Sequence, residues 1–278
     1  MSCILKIEQR KSSLTETEEK VANYILENKR EVVSMSVQEL ADHVEVSAAA
    51  IVRFAKKVGF TGFSELKLEL AQDPEEKALD FETIIEENDG LEDLVHKSEV
   101  LNIKAIEQTY DLIDIKVLQE AIKCLSCGGN IYLFGVGASG LVAQDFQYKL
   151  ARIKRVAIYQ QDAHIQLVSA AHLGPKDVAI GISYSGETKE INIAMKKAKS
   201  LGAKTIGITK YNNNTLSKLV DYPLYIPNEE KEIRIGAITS RMTALIMTDL
   251  LYLGIAKNDV KQTEDYIRKT RKLIEELK

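Results

Sequence analysis

Asp177-Val-Ala-Ile-Gly-Ile-Ser-Tyr-Ser-Gly-Glu-Thr188 closes an apolar run with small hydroxyl residues and then opens a helix. Gly174-Pro175 bounds the run upstream, so residues 177–182 read as a buried strand, and Thr188 to Leu201 follows with amphipathic helical spacing. Ser183, Ser185 and Thr188 can then aim hydroxyls at one anion, while the free amides of the helix start add donors and positive dipole. Serine and threonine also serve as ordinary caps and turn residues, so this loop does not settle ligand binding alone. A second unit repeats the pattern: Asn130-Ile-Tyr-Leu-Phe134, the loop Gly135-Val-Gly137-Ala-Ser139-Gly140, and a helix from Leu141 to about Arg152. Gly135-x-Gly137 matches part of a dinucleotide fingerprint, but Leu141 occupies its final glycine position. Further strands over Arg155–Tyr159, Lys204–Ile208 and Tyr222–Ile226 give a doubly wound α/β domain with five parallel strands. Both loops fall at its carboxyl edge, where open sheets of this kind bind ligands.

The N-terminal third is helical. Thr15-x-x-Glu18 and Ser36-x-x-Glu39 are capping-box signals, each followed by apolar residues at helical spacing. A first helix runs to about Asn28 and buries Val21, Ile25 and Leu26; a short second one has Val37, Leu40 and Ala41 inside. His43 to Val46 makes a turn, and Ser47 caps a third helix that buries Ile51, Phe54, Ala55 and Val58. Gly59 ends this helix in the left-handed conformation, with Phe60 folding back. A short helix, a tight turn and a capped helix make a helix-turn-helix. The spacing puts Ala49, Ala50, Arg53, Lys56 and Lys57 on the outward side. Alanines let the backbone approach bases, Arg53 reaches a guanine edge or a phosphate, and the two lysines suit phosphates. A solvated basic face on an ordinary bundle is the competing reading.

The 278 residues exceed a usual single domain. The formal charge of −4 argues against a globally basic nucleic-acid binder, though a reading helix needs only a local cationic face. No apolar run is expected to span a membrane, and Met1-Ser-Cys-Ile-Leu-Lys6 lacks signal-peptide anatomy, so a cytoplasmic protein is expected. Cys124 and Cys127 precede Gly128-Gly129 at a helix end, where the dipole does not activate a thiol, and no zinc partners lie nearby. Structural thiols and no metal are expected. Between the domains, Gln72–Glu76 and Ile85–Gly90 are acidic and broken by Pro74 and Gly90, which reads as a linker with a short helix around Phe81. A long helix from Leu91 to about Asp111, another over Ile115–Leu125, and a charged amphipathic helix over Glu264–Lys278 complete the chain. The boundaries read as a DNA-binding domain over 1–77, an acidic linker with connecting helix over 78–112, and the sheet domain over 113–278.

Phe134-Gly-Val-Gly-Ala-Ser139 and Ser183-Tyr-Ser-Gly-Glu-Thr188, within residues 122–257, resemble the sugar isomerase (SIS) domain, a phosphosugar-binding module of flavodoxin-like architecture. Ser36-Val-Gln-Glu-Leu-Ala41, Val46 through Phe54 and Gly59 through Lys67 resemble the RpiR-type helix-turn-helix, a domain family defined by its pairing with a C-terminal SIS domain. The resemblance implies that Ser139, Ser183, Ser185 and Thr188 hold the phosphate of a phosphorylated sugar. Gly137, Ala138, His164, Glu232 and Arg241 are the candidates for the rest of that ligand. It implies also that Ser47, Ala49, Ala50, Arg53, Lys56 and Lys57 face DNA, although the family often has threonine where this chain has Ala50, which puts base preference in doubt. Aldose-ketose isomerisation needs a base and a ring-opening acid. Glu232 is the obvious base, yet it sits among Glu229, Glu230 and Lys231, and one carboxylate is not a mechanism. The expected protein is a dimeric or larger DNA-binding transcription regulator of carbohydrate or amino-sugar genes, a repressor by expectation. A sugar phosphate is its effector; operator DNA is its partner; no cofactor is involved. The alternative is a sugar-phosphate isomerase with an accessory helical domain.

Overall fold

The computed structural model describes residues 3–10, 14–72, 85–228 and 236–277. The chain divides into two units, Met1–Lys77 and Ala78–Lys278.

In the first unit both capping boxes form. Thr15 precedes α2 (Glu16–Glu27) and Ser36 precedes α4 (Val37–Val44), each with the reciprocal side-chain bond from Glu18 or Glu39. The turn after α4 is made by Glu45, left-handed at φ 57°, with the Val46 amide donating back to Ala41 O at 2.9 Å. Ser47 then caps α5 (Ala48–Lys57), its hydroxyl accepting from the Ala50 amide at 3.2 Å. Gly59, at φ +101°, takes the left-handed position that ends this helix, and the Phe60 amide returns to Ala55 O. Three helices were not anticipated: α1 (Cys3–Arg10), α3 (Lys29–Ser34) and α6 (Phe63–Gln72). Helices of six to ten residues are marginal alone. They exist here because Cys3, Ile7, Val32, Leu66 and Leu70 join Val21, Ile25, Leu40, Ile51 and Phe54 in one core. Replacing Ser47 with alanine removes the side-chain acceptor that caps α5, and is expected to cost the helical unit about 1 kcal/mol. A fall in the urea midpoint read by helical circular dichroism checks this, and an unchanged midpoint would refute the capping role.

The second unit is built on β1 (Ile131–Gly135), β2 (Ala157–Ile158), β3 (Val178–Ile182), β4 (Lys204–Lys210) and β5 (Tyr222–Ile226), all parallel, in the order β2-β1-β3-β4-β5. β3 is buried throughout, as a central parallel strand covered on both faces must be. One face carries α8 (Ile115–Cys127), α9 (Ala138–Arg152) and α13 (Ile238–Lys257) through Leu125, Val142, Phe146, Met247 and Leu251. The other carries α10 (Ala163–Ala170), α11 (Lys189–Ser200) and α12 (Thr215–Leu219) through Ile191, Met195 and Leu216. Gly135 pairs with Ile182, so the loops after β1 and β3 leave the sheet at one level.

Several expectations change. The edge strand shrinks from Arg155–Tyr159 to two residues; Arg155 turns aside and donates to Gly128 O and Gly129 O. The long helix α7 (Leu91–Asp111) lies in the second unit and packs on α13. α13 is itself long and apolar enough to cross a membrane by length and composition, contrary to the expectation that no run would be. In the fold it is a packing helix that buries Thr239, Thr243 and Thr248 beside its apolar residues. Cys124 and Cys127 are free thiols at the end of α8. The C-terminal helix α14 (Val260–Glu275) has no buried residue. A helix around Phe81 and the whole of Glu229–Ile235 fall outside the described residues.

Candidate functional site

Strand order reverses between β1 and β3, since β2 lies on one side of β1 and β3, β4 and β5 on the other. At such a switch point neighbouring loops splay apart and leave a crevice. A cleft of about 130 Å³ opens there, with Ser139, Ser185, Thr188, Ser240 and Arg241 among its lining residues. Three helices begin at it. α9 starts at Ala138, α11 follows Thr188, and α13 starts at Ile238, after Ala237 in a left-handed turn at φ 54°. Helix starts carry positive dipole, and three of them at one cleft are an arrangement that can receive an anion. Arg241 adds a full positive charge on the first turn of α13. The hydroxyls of Ser139, Ser185 and Thr188 supply neutral bonds.

The cleft is held from behind. Buried Gln166, on α10, accepts from the Gly135 amide at 3.0 Å and donates to the Gly135 carbonyl at 2.9 Å. Tyr159 stacks its hydroxyl at Gly140, and burial pushes its phenol pKa up. Ser183 is 3 % exposed, does not line the cleft, and shares a 2.8 Å hydrogen bond with Thr188 Oγ1. Ser183 thus lies beneath Thr188 rather than among the residues that line the cleft. Lys210 Nζ sits 5.7 Å from the ring centroid of Tyr184, which also lines the cleft.

The remaining expected site residues separate. Ala138 and Arg241 line the cleft; Gly137, in the loop, does not. His164 is exposed on the first turn of α10, which Asp162 caps at Ile165 N, and it also lies outside the lining. Glu232 lies outside the described residues. Ser240 and Gln166 were missed. Ser240 stands beside Arg241 in the sequence, and its hydroxyl at a helix start is the signal that would have flagged it; nothing local marks Gln166, whose partner is 31 residues away.

On α5, Ala49, Arg53 and Lys56 are exposed, and Ser47 stands exposed at its N-cap. Ala50 does not share their face. It is 8 % exposed, because it lies four residues before Phe54 and turns with it into the core. Lys57 is also diverted, donating to Glu18 at 2.5 Å. Burial alone would raise the Glu18 carboxyl, but the bonds from Lys57 and Thr15 outweigh it and hold that carboxyl below its usual range.

Comparison with known proteins accords with both regions. A family model described as "Helix-turn-helix domain, rpiR family" matches residues 1–77, and the SIS domain model matches residues 124–254. An uncharacterized HTH-type transcriptional regulator of Caldanaerobacter subterraneus is 37 % identical over 96 % of this chain and 95 % of its own length. This chain belongs to the RpiR family of transcriptional regulators. The uncharacterized HTH-type transcriptional regulator YbbH of Bacillus subtilis is 34 % identical over 98 % of this chain and 96 % of its own. Among solved structures, the Vibrio vulnificus NanR protein complexed with ManNAc-6P matches over 100 % of both chains, with 26 % identity and a TM-score of 0.64. The RpiR family thus accounts for the order of the two units: the helix-turn-helix comes first and the SIS domain second.

Proposed function

We propose that this RpiR-family regulator binds operator DNA as a homodimer through α5 and senses a phosphorylated sugar in the cleft between β1 and β3, without turning that sugar over. The observation that carries the sensor reading is the convergence of three helix starts, the hydroxyls of Ser139, Ser185, Thr188 and Ser240, and Arg241 on one cleft. Ser139, Ser185 and Thr188 hold the phosphate, with Ser183 bracing Thr188. Ala138, Arg241 and Ser240 face the remainder of the ligand. The carboxylate of the loop motif, Glu187, is bound to Thr215. Full-length relatives that are named transcriptional regulators favour sensing over isomerisation. The structural similarity to a NanR bound to ManNAc-6P makes an N-acetylated hexosamine 6-phosphate the first ligand to test.

Dimerisation follows from the DNA geometry, since two recognition helices about 34 Å apart read a palindromic site. Leu91, Val95, Val100 and Ile103 of α7, all at least half exposed or nearly so, offer apolar surface for a second copy. Ligand binding then shifts operator affinity by favouring one dimer geometry, and release of DNA, as in a repressor, is the expected sign.

Fluorescence anisotropy of labelled operator, titrated with and without N-acetylmannosamine 6-phosphate and a panel of hexose and pentose phosphates, tests the coupling. At least one of them is expected to shift operator affinity about tenfold or more, in the usual range of allosteric coupling. Equal affinity with every sugar phosphate that the protein binds would overturn the switch. Steady aldose-to-ketose conversion by NMR, lost in Glu232→Gln, would make the protein an isomerase.

A further inference from the structure

Glu187 lies in the middle of the phosphate loop, between Ser185 and Thr188, yet its carboxylate points to another part of the sheet edge. One oxygen accepts from the Thr215 amide at 2.8 Å and the other from the Thr215 hydroxyl at 2.6 Å. Thr215 is the first residue of α12, which follows the next strand, β4. The neighbouring Gly186 is gripped from the same side: its carbonyl accepts from the Leu216 amide at 3.0 Å and from Asn192 Nδ2 at 3.0 Å. Asn214, 3 % exposed, packs against Gly186 and anchors itself through Thr209 Oγ1 at 3.1 Å and Lys210 O at 3.2 Å. Thr209 and Lys210 in turn donate to the Tyr184 carbonyl.

Gly186 and Glu187 do not line the cleft, whereas Ser185 and Thr188, on either side of them, do. A loop fastened at its centre fixes the direction of the hydroxyls at its ends. An unfastened loop would have to be ordered by the ligand itself, and that cost would be subtracted from affinity. A carboxylate so near an anion site is also unfavourable by charge alone. The Thr215 hydroxyl and amide offset that charge and hold the carboxyl below the usual range.

We propose that Glu187 is a positioning residue: its double bond to Thr215 ties the phosphate loop to the β4–α12 turn and pre-orients Ser185 and Thr188 for the phosphate. The inference rests on the sensor reading of the cleft. It assigns Glu187 neither contact with the ligand nor any role in proton transfer.

The test measures binding of inorganic phosphate and of N-acetylmannosamine 6-phosphate to the full chain by calorimetry, for wild type, Glu187→Gln, Glu187→Ala and Thr215→Val. Glutamine can still accept from the Thr215 amide and donate to its hydroxyl, so Glu187→Gln is expected to bind as tightly as wild type or more tightly. Glu187→Ala is expected to bind about tenfold more weakly, because the ligand must then order the loop itself, while the variant stays folded by circular dichroism. Thr215→Val, which keeps the amide, is expected to fall between them. Alanine and glutamine variants of equal affinity would overturn the brace and leave the carboxylate a tolerated charge. If Glu187→Ala does not fold, Thr215→Val decides, and wild-type affinity in that variant overturns the brace equally. If wild type binds neither probe nor any sugar phosphate of the panel, the sensor reading fails, and this inference fails with it. Wild-type binding with unaltered variants sinks the brace alone.

Discussion

Gly186→Ala is expected to abolish the rise in melting temperature that a bound sugar phosphate confers, and to destabilise the second unit by about 3 kcal/mol. Two costs add. Gly186 sits at φ +72°, a left-handed backbone that costs an L-residue about 1–2 kcal/mol. A Cβ there would also stand 2.1 Å from Asn214 Oδ1, 2.2 Å from its Cγ and 2.7 Å from its Cβ, well inside contact. Asn214 has no easy escape, because it is buried, its Nδ2 serves Thr209 and Lys210, and its Oδ1 accepts from the Ser217 amide at 2.9 Å. Overpacking of this kind costs about 1–3 kcal/mol and is relieved by moving the loop. Any such movement carries Ser185 and Thr188 away from the cleft. Thermal denaturation with and without N-acetylmannosamine 6-phosphate reads both effects, and a variant that melts as wild type and keeps its ligand shift would show that the loop tolerates the side chain.

Arg53→Ala is expected to weaken operator binding by about 1–3 kcal/mol, the usual worth of a good bidentate base contact, while leaving sugar-phosphate affinity unchanged. Arg53 is exposed at the centre of α5, one turn beyond Ala49 and one turn before Lys56. Lys56→Ala is expected to act differently, weakening all sequences alike and reducing the slope of log K against log salt by about 1. Lys57→Ala should not reproduce that change in slope, since Lys57 is engaged with Glu18 of α2; its effect belongs to the stability of the helical unit. Anisotropy titrations of operator and scrambled duplex at several salt concentrations separate the three variants. An Arg53→Ala variant with wild-type operator affinity would mean that α5 reads DNA through another face.

The contrast between Lys56 and Lys57 shows what kind of information the sequence carries. Capping boxes at Thr15 and Ser36, the Ser47 cap and the Gly59 stop are signals written within four residues, and all four form. The buried run at 178–182 and its following helix are equally local. Ala50 was misplaced for want of one local count: four residues separate it from Phe54, and that neighbour draws it inward. Lys57 was beyond such counting, because its partner, Glu18, is 39 residues away. The short helices α1, α3 and α6 were hidden for a related reason, having too few residues to fold without the core they share.

The sequence by itself therefore determined a helical N-terminal region with a capped reading helix, a parallel α/β sheet, and two hydroxyl-bearing loops at its edge. These depend on periodicity and caps, which act over one or two helical turns. Only the tertiary structure decided which side chains meet at the cleft. It bonded Ser183 to Thr188 beneath the cleft, left His164 outside the lining, and brought Ser240 and Arg241 to Ser139 from about a hundred residues along the chain. It also spent the Glu187 carboxylate on Thr215 rather than on the ligand space. Strand order is the physical reason, since the reversal between β1 and β3 opens the crevice and the packing of α13 across the sheet sets its third wall.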